Sequence, residues 1–395
     1  MTNKLFLVTI FILSLLLNSC GSNSLGEGEQ TFTQQEKEFV HTLFLTEYLW
    51  ADQVTSNIDY KQYSQPQELV NTLKYDLYDK WSGVTTKQAL EDRNNQKQAG
   101  YGFKFTSDFT VVYTLINSPA YKKLLRGDKI LYLNGNAIST TLLKETSESK
   151  NTTIFTVQRN GNEIDISIKP SIYNYKVTFS KILEKSNKTI GYLRFDSFSE
   201  NSDRELEEAF TTFYTNKIDE LVIDLRYNGG GYLNIVSVLL DNISNSHSGQ
   251  RQFYLDGNAH YNNQHKDNTY HFEDTDLQDG NELNMERVIF LTTPNSASAS
   301  EVVINALKPY LGDNNVITIG SNTHGKPVGM SGKQYGENIY FLINFYTKNN
   351  NGQITSFKGI SPTCSAKDDI SHTMGDSKET MLSTALYYIQ NNKCP

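Results

Sequence analysis

The 395-residue chain has no block of basic residues and only three cysteines, and its longest apolar run near the N-terminus, Leu5 to Leu17, is 13 residues. Each shortage narrows what the protein can be. A chain with net charge −8 and no basic patch lacks the electrostatic footprint of a nucleic-acid binder, so nucleic acid is not an expected partner. A spanning helix needs about 20 apolar residues; 13 residues behind Lys4 read instead as the core of a targeting signal. His260, His265 and His271 lack ligand spacing and have no cysteine nearby, so neither a metal nor another cofactor is expected.

What is present divides the chain into segments. The apolar run ends at Leu17-Asn18-Ser19-Cys20, which resembles a bacterial lipoprotein signal: residues 1–19 would be removed and Cys20 lipidated. The other reading is an ordinary signal peptide with an incidental cysteine. Residues 20–30, polar and Gly-rich, read as a flexible tether. The anchored protein is expected in the cell envelope of a bacterium, with the membrane as a partner through its lipid and either the periplasmic or the surface face as its side. Cys364 and Cys394 are then the remaining pair, and an exported chain can keep them bridged; two buried thiols are the alternative. Residues 31–95 carry apolar stripes at helical spacing, Phe39-Val40-Leu43-Phe44 and Leu69-Leu73-Leu77 among them, and read as a helical subdomain whose aromatics are core.

From 96 to 176 short strand-like runs alternate with turns, Asn134-Gly135 and Asn160-Gly161 being hairpin signals. Gly100-Tyr101-Gly102-Phe103 looks like the carboxylate-binding loop of a PDZ domain. Asn117-Ser118-Pro119-Ala120, Arg126-Gly127-Asp128-Lys129-Ile130 and Leu133-Asn134-Gly135 follow in the order of that domain's core signature. Backbone N–H groups in such a turn can capture a peptide's terminal carboxylate while the sheet edge adds the peptide as a strand. A PDZ-like unit used only as a spacer is the plainer alternative.

Beyond residue 177 strands alternate with helices, an α/β pattern. Glu220-Leu221-Val222-Ile223-Asp224 reads as a buried strand entering Tyr227-Asn228-Gly229-Gly230-Gly231, and residues 255–285, rich in Asn, His and Asp, as an exposed excursion. Val288-Ile289-Phe290-Leu291 precedes Ser296-Ala297-Ser298-Ala299-Ser300-Glu301 and a helical pattern. Val316-Ile317-Thr318-Ile319 precedes Thr323-His324-Gly325-Lys326. A serine at a strand-to-helix turn sits among free backbone N–H groups. A lysine on a Gly-rich turn can be its base if burial lowers the lysine's pKa.

These motifs, with Asp224-Leu225-Arg226 and Gly359-Ile360-Ser361-Pro362, resemble the carboxyl-terminal processing peptidases, also called tail-specific proteases, over nearly the whole mature chain. The resemblance implies a crotonase-like (ββα) serine peptidase core, residues 177–395, with an inserted PDZ-like β-rich domain and an N-terminal helical subdomain. It implies Ser298 as nucleophile, Lys326 as base, and an oxyanion hole from the N–H of Ala299 and of Gly230 or Gly231. Gly100, Tyr101, Gly102 and Phe103 would bind the substrate's C-terminus, and unfolded or tail-presented polypeptides would be the substrates. Ser296 and Ser300 read as helix N-caps, Glu301 as a partner of the helix dipole, and Asp224 and Arg226 as braces. Many members carry Gln four residues after the lysine, where this chain has Met330. A catalytically silent peptide-binding lipoprotein on the same fold is the competing reading.

Overall fold

The computed structural model describes residues 32–272 and 283–395. The segments read as signal and tether, with Cys20, lie outside them. The described chain falls into two compact units, one of residues 98–175 and one that joins residues up to 97 with residues 176–395.

The larger unit is built on a six-stranded sheet in the order Thr178–Lys185, Lys188–Phe195, Glu220–Asp224, Val288–Thr292, Val316–Gly320, Cys364–Ser365. The first two strands form an antiparallel pair and every later pairing is parallel. The three central strands are buried along their whole length. That is why they read as unbroken apolar runs: a parallel strand covered on both faces has no polar side. One face is covered by the C-terminal helix Thr380–Asn391, whose Met381, Leu382, Ala385, Leu386 and Ile389 pack on Tyr192, Val222, Ile289, Leu291 and Ile319. Ser202–Thr215, Leu233–Ile243 and Ala299–Leu311 are the helices that follow successive strands.

A second sheet has the order Gly83–Thr86, Asn338–Asn349, Arg251–Gly257, Thr269–His271, with Val328–Tyr335 also paired to Asn338–Asn349. It changes two expectations. The N-terminal segment is not a body of its own: Gly83–Thr86 pairs with residues 338–341, and the helices Gln34–Thr46 and Pro66–Leu73 share a core with Val328, Tyr340, Leu342 and Ile343. Nor is the stretch from 255 simply exposed. Its first strand is zipped to Asn338–Asn349, and Tyr261 and Phe272 are buried. Asn- and His-rich composition concealed a few well-placed aromatics. Residues 273–282 of that stretch lie outside the described part.

The smaller unit is β-rich. Its sheet runs Asn136–Ala137, Lys129–Leu133, Thr153–Arg159, Asn162–Ile168, beside a hairpin of Phe103–Phe105 with Val111–Thr114 and the helix Thr140–Glu148. Both residues of each Asn-Gly turn have positive φ: Asn134 49° and Gly135 78°, Asn160 51° and Gly161 81°. This is the conformation that makes Asn-Gly a hairpin signal. Tyr101, Val111, Ile130, Leu133, Phe155 and Val157 form the unit's core.

Candidate active site

The candidate site forms where parallel strands of the core sheet end. After Val288–Thr292 the chain makes a short loop, and Ser298 caps the helix Ala299–Leu311 with φ 57° and ψ −116°. An L-residue adopts such a conformation only under constraint. Here the constraint is a set of hydrogen bonds. The Ser298 N–H donates to Glu301 Oε2 at 2.9 Å, and the Ser298 carbonyl accepts the N–H groups of Glu301 (2.8 Å) and Val302 (3.0 Å). The bend leaves Ser298 partly exposed between buried neighbours.

The glycine turn lies against this serine. Asn228, fully buried, fastens it: Nδ2 donates to the Phe195 carbonyl and Oδ1 accepts the Gly230 N–H, each at 2.9 Å. The Asn228 carbonyl accepts the Ala297 N–H (3.0 Å) and the Ser300 hydroxyl (2.9 Å). Gly230 has φ 103°, and a Cβ there would fall 2.9 Å from both the Ala297 carbonyl oxygen and Ser298 Cβ, so only glycine permits this approach. One expectation is corrected: the Gly230 N–H is committed to Asn228 and is no oxyanion donor. The N–H groups of Gly231 and Ala299 have no acceptor among the described residues.

Ser296 and Ser300 are corrected too. Rather than cap the helix, they bolt the serine loop to the glycine turn. Ser296 Oγ donates to the Leu225 carbonyl at 2.7 Å and accepts the Thr293 N–H at 3.0 Å, while Ser300 holds Asn228.

The lysine turn arrives after Val316–Gly320. Glu301 joins it to the serine. This carboxylate is 0% exposed. Its Oε1 accepts the Thr323 hydroxyl (2.6 Å) and the Gly325 N–H (2.8 Å); its Oε2 accepts the N–H groups of Ser298 (2.9 Å) and Lys326 (2.8 Å). The helix-dipole role read from sequence is therefore the lesser part of what Glu301 does. The Gly359–Pro362 motif forms the wall behind. Ile360 donates its N–H to Thr323 Oγ1 at 2.7 Å, and the positive φ of Gly359 (82°) brings it so close that a Cβ would fall 2.1 Å from the Thr323 carbonyl oxygen.

Burial pushes the Lys326 amine down to about 8; the carboxylates of Asp79 and Glu301 oppose the shift and Arg93 adds to it. Lys326 Nζ lies 5.5 Å from the centroid of the Trp81 ring, which also meets the His324 ring at 6.1 Å. Asp79, Trp81 and Arg93 come from the segment in which the sequence pointed only to packing, and nothing local to them signals the site. Met330 packs with the apolar cluster of the N-terminal helices.

Below the glycine turn Arg226, 0% exposed, meets three carboxylates: Asp224 (Nε–Oδ1 2.9 Å), Asp368 (2.8 Å) and Glu379 (2.9 and 3.0 Å). Glu379 also caps the C-terminal helix through the N–H groups of Met381 and Leu382, and the Tyr192 hydroxyl donates to Asp224 at 2.7 Å. Asp224 and Arg226 are thus braces, as expected. Cys364 and Cys394 are bonded to each other, with Cα atoms 5.5 Å apart.

In the smaller unit Gly100 and Gly102 have φ 110° and 81°. A Cβ on Gly102 would fall 2.2 Å from Ser118 Cβ and 2.4 Å from the Tyr173 hydroxyl. Tyr101 is buried and its hydroxyl donates to Thr153 at 2.7 Å, so only its backbone can face a ligand. The buried Tyr173 hydroxyl has no partner among the described residues.

Residues 189–366 match the family described as Peptidase family S41, and residues 35–83 match the Peptidase S41 N-terminal domain. The chain belongs to peptidase family S41. The carboxy-terminal processing protease CtpB of Bacillus subtilis is 24% identical over 313 residues, which is 76% of this chain and 62% of that one. A CtpA-like serine protease of Staphylococcus aureus is 26% identical over 334 residues, 78% and 62% respectively. This S41 chain thus spans about three fifths of the length of those relatives. Among solved structures, a Bacteroides fragilis protein assigned to the S41 proteases superposes with TM-score 0.75 at 23% identity, covering 90% of this chain and 97% of that one. The photosystem II D1 C-terminal processing protease superposes with TM-score 0.53 at 16% identity, covering 89% and 97%. At these identities the likeness is one of fold, a mixed α/β peptidase architecture.

Proposed function

We propose that this S41 chain is a serine endopeptidase in which Ser298 is the nucleophile and Lys326 its base. The observation that carries the reading is that one oxygen of a buried carboxylate, Glu301 Oε2, holds the backbone N–H of both residues. Two loops that follow different strands are thereby fixed to one atom. Neutral Lys326 takes the Ser298 hydroxyl proton as Oγ attacks the scissile carbonyl. The oxyanion accepts from the N–H groups of Ala299 and Gly231. The lysine then gives its proton to the departing amine, and water, deprotonated by the same lysine, releases the acyl group.

The core is read as crotonase-like, and the unit of residues 98–175 as a PDZ-like domain that captures the free C-terminus of an unfolded or tail-presented polypeptide on the Gly100–Phe103 loop. The orphan Tyr173 hydroxyl beside Gly102 suits a carboxylate partner. A lipid on Cys20 would tie the protein to the envelope membrane.

The test is cleavage of an unstructured protein, followed by mass spectrometry of the fragments. Ser298→Ala, Lys326→Ala and Lys326→Arg are each expected to leave the substrate intact, since guanidinium does not give up its proton. Turnover of the unaltered chain should rise with pH through about 8 as Lys326 loses its proton. Normal turnover by Lys326→Ala would discard the dyad. Using Ser298→Ala to trap binding, equal affinity for peptides with acid and amide C-termini would discard the PDZ-like reading alone.

A further inference from the structure

The turn at Asp79–Ser82 is held at more points than a packing role requires. Asp79, 1% exposed, accepts the N–H groups of Trp81 and Ser82 on Oδ1, each at 2.9 Å, and the Tyr48 hydroxyl on Oδ2 at 2.7 Å. The Tyr48 hydroxyl accepts the Tyr75 N–H at 2.9 Å, and Ser82 Oγ accepts the Ile343 N–H at 3.0 Å. So fixed, the turn holds the Trp81 indole where its ring centroid lies 5.5 Å from Lys326 Nζ and 6.1 Å from that of the His324 ring.

A lysine base needs an amine sheltered from water and aimed in one direction. Glu301 fixes the backbone of Lys326 but does not extend to the end of its side chain. An indole face against the amine supplies both needs. It takes the place of solvent on one side, and it limits the rotamers of a long flexible stem. The charged groups that act on the amine are Asp79 from this turn, Glu301 from the helix Ala299–Leu311 and Arg93 from the helix Lys87–Asn94.

We propose that Trp81, fixed by the Asp79 turn, is a positioning residue for Lys326, its indole shielding the amine from water and holding it toward the serine loop. The N-terminal segment is then part of the base machinery. The inference rests on the reading of Lys326 as base.

The experiment measures the proton affinity of Lys326 without turnover. Full-length Ser298→Ala protein is trace-labelled with acetic anhydride across pH, and acetylation of the peptide bearing Lys326 is quantified by mass spectrometry. In that background Trp81→Ala and Trp81→Gln are expected to raise the labelling midpoint by about one pH unit, because the hydration that the amine regains outweighs the lost attraction of the indole face for the ammonium. Trp81→Phe should keep the midpoint near that of the parent. Asp79→Asn should lower it, because a negative charge is removed. With Ser298 restored, Trp81→Ala should lower kcat about tenfold or more with little change in KM, and Trp81→Phe should recover most of it. Trp81→Gln keeps a sizeable side chain in the turn while admitting water, so a folding failure of the alanine variant does not end the test. An unmoved midpoint in Trp81→Gln, with Lys326→Ala inactive, would overturn this inference and leave the dyad standing. Turnover surviving Lys326→Ala would overturn the dyad itself.

Discussion

Two buried polar clusters flank the serine loop, and they balance their charges in opposite ways. Around Arg226 a guanidinium meets the carboxylates of Asp224, Asp368 and Glu379 at hydrogen-bond distance. Around Glu301 a single carboxylate meets only uncharged donors: three backbone N–H groups and one hydroxyl, with Gly325 and Thr323 sharing one oxygen and Ser298 and Lys326 the other. The Lys326 amine is close enough to feel Glu301 and Asp79, but it forms no ion pair among the described residues. Paired fixed charges make a brace, because neither partner can leave without stranding the other. A carboxylate satisfied by neutral groups can organise a site while leaving a neighbouring amine unpaired and free to lose its proton. The difference separates scaffold from machinery within one core.

Removing the cation tests the brace. Arg226→Met strands Asp224 and Glu379, both buried, and is expected to cost about 3–5 kcal/mol of stability. The loss should appear in urea unfolding of the Ser298→Ala chain, which cannot digest itself on the proposed mechanism. The C-terminal helix should loosen first, since Glu379 is both its cap and the partner of Arg226. A loss under about 1 kcal/mol would mean the cluster is not a brace.

The sequence made one of these clusters more legible than the other. Asp224 and Arg226 lie two residues apart at the end of an apolar run, and Ser298 and Lys326 each follow one, so strand-end motifs were visible locally. The parallel strands and the helices Leu233–Ile243 and Thr380–Asn391 were legible for the same reason: burial on both faces and regular helical spacing are written in consecutive residues. Glu301 was visible as a residue but not as a clasp, because its partners Thr323, Gly325 and Lys326 come 22 to 25 residues later. Asp79 and Trp81 gave no local signal. The pairing of Gly83–Thr86 with residues 338–341 carries their turn into the unit that holds Lys326, and no local pattern encodes a register that distant. The wrong donor at Gly230 has a similar origin: a Gly-rich turn announces close approach but not which N–H its own asparagine will claim.

The unpaired amine should leave a mark on stability. Folded Lys326 titrates at about 8 against an ordinary value of 10.5. Between those values the unfolded chain binds more protons than the folded one, so stability rises with pH across that window, and below it the full cost of a buried ammonium is carried. Lys326→Met removes that cost. At neutral pH it should therefore be more stable than the parent by up to about 3 kcal/mol, with the gain shrinking as pH rises from about 8 toward 10.5. Thermal unfolding of both chains in the Ser298→Ala background across this range measures it. A pH-independent difference would show that Lys326 is not held as a strained amine. The same substitution at Arg226 destabilises, and that opposition of sign is the comparison in its plainest form.

Glu301→Gln probes the clasp itself with the smallest change of shape. Glutamine can keep the acceptor facing Thr323 and Gly325, but its amide nitrogen then confronts the N–H groups of Ser298 and Lys326, donor against donor. Two charge-assisted hydrogen bonds are lost, and the expected cost in stability is about 2 kcal/mol, less than at Arg226 because no ion is left stranded. The cost in turnover should exceed this, since the serine's strained φ of 57° and the lysine's backbone position both depend on that oxygen. The negative charge is lost as well. Glu301 is one of the groups holding the Lys326 proton on, so the acid limb of the pH–rate profile should move to lower pH even as the maximal rate falls. A brace fails differently: loosening at Arg226 should reduce the amount of folded protein without shifting the limb. Stability measured by urea unfolding and turnover measured across pH on the same Glu301→Gln protein distinguish the two. A variant that lost only stability, with its acid limb where the parent's is, would place Glu301 with Arg226 among the braces.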